Sequence, residues 1–247
     1  MNKIFYVITV LVFSCLILGL VPMDYFLSRF EDRPIAIVKR FKPNVNIKNG
    51  GEDKDIWLNV EKSKGQKLFS GDTLSTDDKG YALVTFMDNS VAKVKPQSSL
   101  IIYGDIKNNS KDMSTRVNLN SGEVFFEVAP QGSGSFELGT SRSLASVKGT
   151  KFGGKSTGYV WVTQGLVVVT ALNSGETVSL FEKMYAQVDE DGNNVESGTL
   201  TEDEIAQLNS GYNTLDEDLI KKTIILKFKD ANGQMKEFPV TIFEKKN

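Results

Sequence analysis

Histidine is absent from this 247-residue chain, cysteine occurs once and proline six times. Without histidine there is no Ser-His-Asp or Cys-His nucleophilic site, no His-ligated zinc and no imidazole pH switch. The one cysteine, Cys15, lies in an apolar run. The rest of the chain therefore has no thiolate and no internal disulfide, and cysteine usage does not identify a redox compartment. An excess of charge of one sign is missing too. Lys and Arg number 29 against 31 Asp and Glu, a net charge of −2, so no basic field recruits nucleic acid and no nucleic-acid partner is expected. What remains is 40% hydrophobic, 10% aromatic and 24% charged, a globular composition long enough to bury a core unaided. No cofactor and no metal site is expected.

One long apolar run is present. Ile4 to Met23 carries no charge, and as a helix it would match the thickness of a bilayer core. An uncleaved membrane anchor over residues 1–23 is expected. A cleaved signal peptide is the rival, but it would have a shorter apolar region and a small-x-small site, where this chain has Val21-Pro22-Met23-Asp24. Val12-Phe13-Ser14-Cys15 loosely matches a lipoprotein box, with Phe13 bulky for its place and the apolar run continuing beyond. Lys3 alone precedes the run, whereas Arg29, Arg33, Lys39 and Arg40 follow it. By that count the large domain would stay in the cytoplasm, although long domains translocate despite such charge.

Residues 24–55 read as a juxtamembrane connector, closing in a loop from Asn44 to Asp55 rich in Asn, Gly and charge. Beyond Ile56 the pattern becomes one of short alternating segments. Tyr81-Ala82-Leu83-Val84-Thr85-Phe86, Glu123-Val124-Phe125-Phe126-Glu127-Val128 and Tyr159-Val160-Trp161-Val162-Thr163 are examples. They are rich in β-branched and aromatic residues, near period two and separated by turns, so residues 56–197 are expected to be an all-β sandwich, roll or short solenoid. Residues 198–247 differ. Thr201 and Glu204 form a capping-box pattern opening a helix to about Leu208, and a second short helix is expected from Leu215 to Lys222. Ile224 to Phe228 and Phe238 to Ile242 then flank the Asp230-Ala231-Asn232-Gly233 turn as a hairpin. This small α+β tail is either an appended module or, as expected here, a cover for an exposed sheet edge.

Five segments stand in an order that resembles the FecR domain, named for the bacterial ferric-citrate regulator. They are Gly71-Asp72-Thr73-Leu74-Ser75-Thr76, then Gly80 through Asp88-Asn89-Ser90, then Leu119 through Gly122 to Val128, then Val147-Lys148-Gly149-Thr150-Lys151-Phe152, and last Val162 through Gly165 to Val169. Asn89 stands where the pattern usually has glycine. The resemblance spans about Gly65 to Asn193. It implies a mainly β domain in the periplasm, held by one inner-membrane helix, which opposes the basic count above. It also implies structural roles for Gly71, Asp72, Asp88, Gly122, Gly149, Thr150, Phe152 and Gly165. Signalling members place a sigma-factor-controlling domain before the membrane helix. Only Met1-Asn2-Lys3 stand there in this sequence, so direct sigma-factor contact is not expected.

No motif carries chemistry convincingly. Gly149 to Lys155 has glycines and lysines but lacks the phosphate-loop spacing. Asp189 to Asn194 opens like a calcium loop, yet its glycine falls two places early and Leu200 stands where the bidentate glutamate belongs. Asp72 and Asp88 form a conceivable acid–base pair, but both sit at turn signals, where aspartate usually caps backbone N–H groups. Tyr159, Trp161 and Phe181 are candidates for an aromatic platform, with a buried strand as the plainer reading. Phe125 and Phe126 must point to opposite faces, so one ring needs a cover beyond the main core, for which the second sheet is a candidate. The function expected is therefore non-enzymatic: a protein-binding sensory or regulatory module of the cell envelope, with an envelope protein as partner. A structural, glycan- or peptidoglycan-associated module is the alternative.

Overall fold

The structure is a computed structural model that describes residues 33–42, 44–50, 55–59, 63, 65–106, 112–212, 220–229 and 234–244. The expected membrane segment at 4–23 lies outside the described residues. Among those described, no helix is long and apolar enough to cross a membrane.

Two nine-stranded sheets face each other across one hydrophobic core. Strand β1 (Ala36–Phe41) is in the first sheet, β2 (Val45–Lys48) and β3 (Asp55–Trp57) in the second, and β4 (Gln66–Leu68) in the first again. β5 (Asp72–Thr76) joins the second sheet, β6 (Ala82–Phe86) and β7 (Val91–Val94) the first, β8 (Ser99–Ile106) and β9 (Met113–Ser121) the second. β10 (Glu123–Glu127) returns to the first, and β11 (Phe136–Gly139) and β12 (Ser143–Val147) to the second. β13 (Lys151–Lys155) and β14 (Tyr159–Gln164) lie in the first, β15 (Val167–Ala171) and β16 (Thr177–Leu180) in the second, β17 (Met184–Val188) and β18 (Val195–Thr199) in the first. Both sheets run from early to late strands in the same direction, β4 and β1 to β18 in one, β3 and β2 to β16 in the other. The result is two facing sheets that the chain visits in turn, which agrees with the expected mainly β architecture. All neighbours in the large sheets pair antiparallel except β9 and β11.

Alternation makes this possible. β5, β9, β12 and β15 place every second residue in the core, as in Val167, Val169 and Ala171 of β15. Phe136 of the second sheet meets Phe126 and Phe86 of the first edge-on, at 5.2 and 5.4 Å between centroids. Phe126 stacks on Phe152 at 5.2 Å.

Three expectations need correction. The β structure begins at Ala36 rather than Ile56, because β1 sits between β4 and β6, and β2 between β3 and β5. The stretch from Asn44 to Asp55 is therefore not all loop: Val45 and Ile47 are fully buried. Four residues of alternation flanked by Asn and Gly are too few to stand out locally, and only pairing on both sides makes them a strand. The helix expected at Leu215 to Lys222 conflicts with strand β19, which starts at Ile220; residues 215–219 lie outside the described set. The hairpin itself is longer than expected, β19 (Ile220–Lys229) pairing along its whole length with β20 (Met235–Glu244) as a separate two-stranded sheet. The Asp230 to Gly233 turn between them lies outside the described residues.

Candidate functional site

The family-motif residues all serve turns or packing. Asp72 is buried and accepts from the Phe69 N–H at 2.8 Å through Oδ2 and from the Gly50 N–H at 3.1 Å through Oδ1. Asp88 is buried too. It accepts from the Ser90 N–H and Oγ at 2.8 and 2.9 Å and from the Gln131 amide at 2.8 Å. The imagined carboxylate pair is thus two separate turn caps. Between Asp88 and Ser90, Asn89 has φ +70°, the left-handed region where the resemblance would place glycine; asparagine is the side chain that best tolerates it. Gly71 precedes β5 and its N–H donates to the Ile102 carbonyl at 2.8 Å. Gly122, between β9 and β10, has φ +83°, and a Cβ there would collide with Ser98. Thr150 donates to the Leu166 carbonyl at 3.0 Å, linking the Gly149 and Gly165 turns, and Phe152 is fully buried.

The apparent phosphate loop is strand β13, in the middle of the first sheet. Its paired glycines give clearance on two faces: a Cβ on Gly153 would enter the Trp161 indole, and one on Gly154 would enter Leu138. The apparent calcium loop is a turn in which Asp189 accepts from the Asn193 N–H at 2.7 Å and the Asn194 amide at 2.6 Å. These bonds hold its carboxyl below the usual carboxylate range.

The side chains that gather into a site lie on the outer face of the first sheet, away from the core. Register puts Lys93, Phe125, Gly153, Trp161, Tyr185 and Gly198 in one row across β7, β10, β13, β14, β17 and β18. Trp161 is fully buried there. Around it pack Phe125, Leu200 and Tyr212, with Tyr159 and Tyr185 stacked at 5.4 Å beside them. On each side of this aromatic row a glutamate holds two lysines. Glu123 meets Lys95 at 2.6 Å and Lys155 at 3.7 Å, while Glu127 meets Lys93 at 3.2 Å and Lys151 at 3.3 Å. Burial works against ionisation of Glu127, but the Lys93 and Lys151 ammonium groups outweigh it and hold the carboxyl below its ordinary value. Tyr212 donates to Glu123 at 2.7 Å; burial, with that carboxylate beside it, pushes the phenol far up. Lys95 lies 4.3 Å from the Tyr212 ring centroid, a cation–π contact.

Helix α1 (Glu202–Asn209) covers part of this row. The expected capping box is formed: the Thr201 hydroxyl accepts from the Glu204 N–H and the Glu204 carboxylate accepts from the Thr201 N–H at 2.8 Å. Ile205 and Leu208 face the aromatic cluster, Trp161 Nε1 donates to Asn209 at 3.1 Å, and Lys183 pairs with Glu202 at 2.5 Å. The first part of the tail, from Leu200 to Tyr212, therefore covers a sheet face rather than a sheet edge. It is Phe126 that meets the second sheet, while Phe125 lies under the tail.

Of the proposed platform, Tyr159 and Trp161 come together, and Phe181 does not: it is 60% exposed in the turn between β16 and β17. Sequence reading missed Tyr185, Leu200 and Tyr212. Tyr185 had a signal, the alternation of Met184 to Val188, and so did the charges at both ends of β10 and β13, Glu123 and Glu127 in one and Lys151 and Lys155 in the other. Tyr212 had none.

Among curated proteins, none matches the chain. Solved structures do, among them two described as candidate anti-sigma factors from Parabacteroides distasonis ATCC 8503. Each is 18% identical over 56% of this chain, covering 64% and 65% of their own lengths with TM-scores of 0.47 and 0.46. The chain thus spans less than two thirds of either. A family model described as FecR protein matches residues 72–168, the stretch that holds three of the five motifs whole and all but one residue of the first and of the last. Residues 72–168 thus match the FecR family model, in line with the resemblance carried by the five motifs.

Proposed function

We propose that this protein is a non-enzymatic sensory or regulatory module of the cell envelope that acts by binding a protein partner. Its domain lies in the periplasm and residues 4–23 anchor it in the inner membrane. The observation that carries the reading is the FecR match over residues 72–168, in which the buried carboxylates Asp72 and Asp88 have their oxygens taken by backbone and side-chain donors of their own turns. Such groups hold loops; they are not poised to move protons. On the outer face of the first sheet the half-buried Tyr159 and Tyr185 and the glutamate–lysine pairs are what a partner can reach, and they have the composition of a recognition surface.

The experiment is an in-cell photo-crosslinking scan of the full chain from Lys93, Lys151 and Phe181, followed by identification of the captured species. A single envelope protein captured in defined geometry supports the reading. Retention of the chain on purified sacculi without any protein crosslink overturns it in favour of a glycan-associated structural role. Protease added to spheroplasts tests location: digestion of the domain with cytoplasmic markers intact is expected, and protection would place it in the cytoplasm, as the Arg29, Arg33, Lys39 and Arg40 count implies.

A further inference from the structure

Beside helix α1 the outer face opens into a cleft of about 470 Å³, within the range of small-molecule sites. Its lining combines Tyr159 and Leu200 with the polar side chains of Lys155, Glu123, Glu204 and Gln207. Three features define what it can take. First, charge: Lys95 and Lys155 oppose Glu123 and Glu204 at its lining, so the cleft has no net charge to favour an anion or a cation. Second, unspent polar capacity. Glu204 uses Oε2 for the cap, bonding the Thr201 N–H and hydroxyl, while Oε1 takes no part in it. Gln207 receives the Ser210 N–H and hydroxyl on its main-chain carbonyl, leaving its side-chain amide outside those bonds on an exposed position. Lys155 is held by Glu123 only at 3.7 Å and keeps N–H donors in hand. Third, an aromatic ring in the lining. Tyr159 is half-buried and stacked against Tyr185, which fixes its ring, with the Lys155 ammonium 5.5 Å from the ring centroid. Burial, with Tyr185 and Glu204 near, pushes its phenol up from a value at which it is already an O–H donor at neutral pH.

A neutral ligand with many hydroxyls and an apolar ring face satisfies all three. We propose that the cleft between α1 and strands β10, β13 and β14 binds an uncharged saccharide. Its ring packs on Tyr159 and its hydroxyls bond to Gln207, Glu204 and Lys155. Amide, carboxylate and ammonium groups serve both donor and acceptor sides of a diol, and the ring's C–H face removes apolar surface of the tyrosine from water. The cleft shares the outer face of the first sheet with the surface that the previous reading gives to a protein partner, and the titration below reads saccharide binding without that partner.

The test is titration calorimetry of the full chain, kept in a sugar-free detergent, with cellobiose, maltose and N,N′-diacetylchitobiose. Sodium acetate and inorganic phosphate at matched ionic strength serve as anionic comparators. Saturable binding of at least one neutral disaccharide is expected, weakened about tenfold or more by Tyr159→Ala and severalfold by Gln207→Ala. Gln207 is exposed on the helix surface, so Gln207→Ala keeps the fold and decides the matter where Tyr159→Ala disturbs it. Absence of saturable binding by all three disaccharides overturns the proposal. So does binding that Gln207→Ala and Lys155→Met leave unchanged, or tighter binding of acetate or phosphate, which would make the cleft an anion site.

Discussion

The two faces of the first sheet are made by the same strands and closed by different means. Phe126 and its row mates Phe152 and Val162 point inward and are fully buried against the second sheet. Phe125, one residue earlier, points outward under an eight-residue helix that has no buried residue of its own. The inner seal is distributed over many strands that the chain visits throughout its length. The outer seal depends on one local element, and an isolated helix that short does not persist in water by itself. Most of the free energy of folding therefore resides between the sheets, while the outer seal can loosen without dissolving the sandwich.

The sharpest way to break this comparison is to empty one position on each face. Phe152→Ala removes a ring from the inner stack and is expected to cost about 3–5 kcal/mol, read as a fall in the denaturant midpoint of the whole domain. Gly153→Ala, on the adjacent residue, forces a methyl group into the Trp161 indole and is expected to cost about 1–3 kcal/mol. Its signature is different: tryptophan fluorescence should shift and the small helical signal should fall before the strand signal does. If Gly153→Ala instead lowers strand and helix signals in one transition with the larger cost, the two faces are a single cooperative unit and the distinction fails.

The same division explains what was legible in the sequence. Period-two alternation announces strands such as β6, β10 and β14, because each residue's face is set by its immediate neighbours. The Thr201–Glu204 cap is equally local and formed as expected. What the outer face does with these pieces is not local. Trp161 meets Asn209 across 48 positions and Glu123 meets Tyr212 across 89, separations no window of pattern can join. Strand β2 was illegible for the same reason, its identity resting on partners Thr73 to Thr76 and Asp55 to Trp57. The Gly153-Gly154 pair could be seen but not understood, since its purpose is clearance for Trp161 and Leu138.

A smaller change sharpens the contrast from the helix side. Thr201→Ala removes the hydroxyl that accepts the Glu204 N–H, and such caps are worth about 1 kcal/mol. That loss should appear in helical content and in hydrogen exchange of residues 202–209, with the amides of β10 and β13 unchanged. Faster exchange in β13 would show that α1 supports the sheet beneath it.

The smallest expected effect concerns the charges beside the aromatic row. Glu127 has its carboxyl held below the ordinary value of 4.5 because the Lys93 and Lys151 ammonium groups outweigh the cost of burial. A carboxyl lowered on folding stabilises the native state once it is ionised in both states. That contribution is fully present above pH 4.5, and it fades as the pH falls through the lower folded value. The side chain is 36% exposed, so solvent screens the pair, and about 0.5 kcal/mol at most is expected at neutral pH. Glu127→Gln should therefore lower the denaturant midpoint slightly at pH 7, and the gap to the unsubstituted protein should close as the pH falls through the lowered folded value. Added salt should narrow it as well. A gap above about 2 kcal/mol, or one that persists in acid, would mean that Glu127 stabilises the outer face through packing. The polar outer rows would then rival the apolar inner ones, and the contrast between the two faces would be lost.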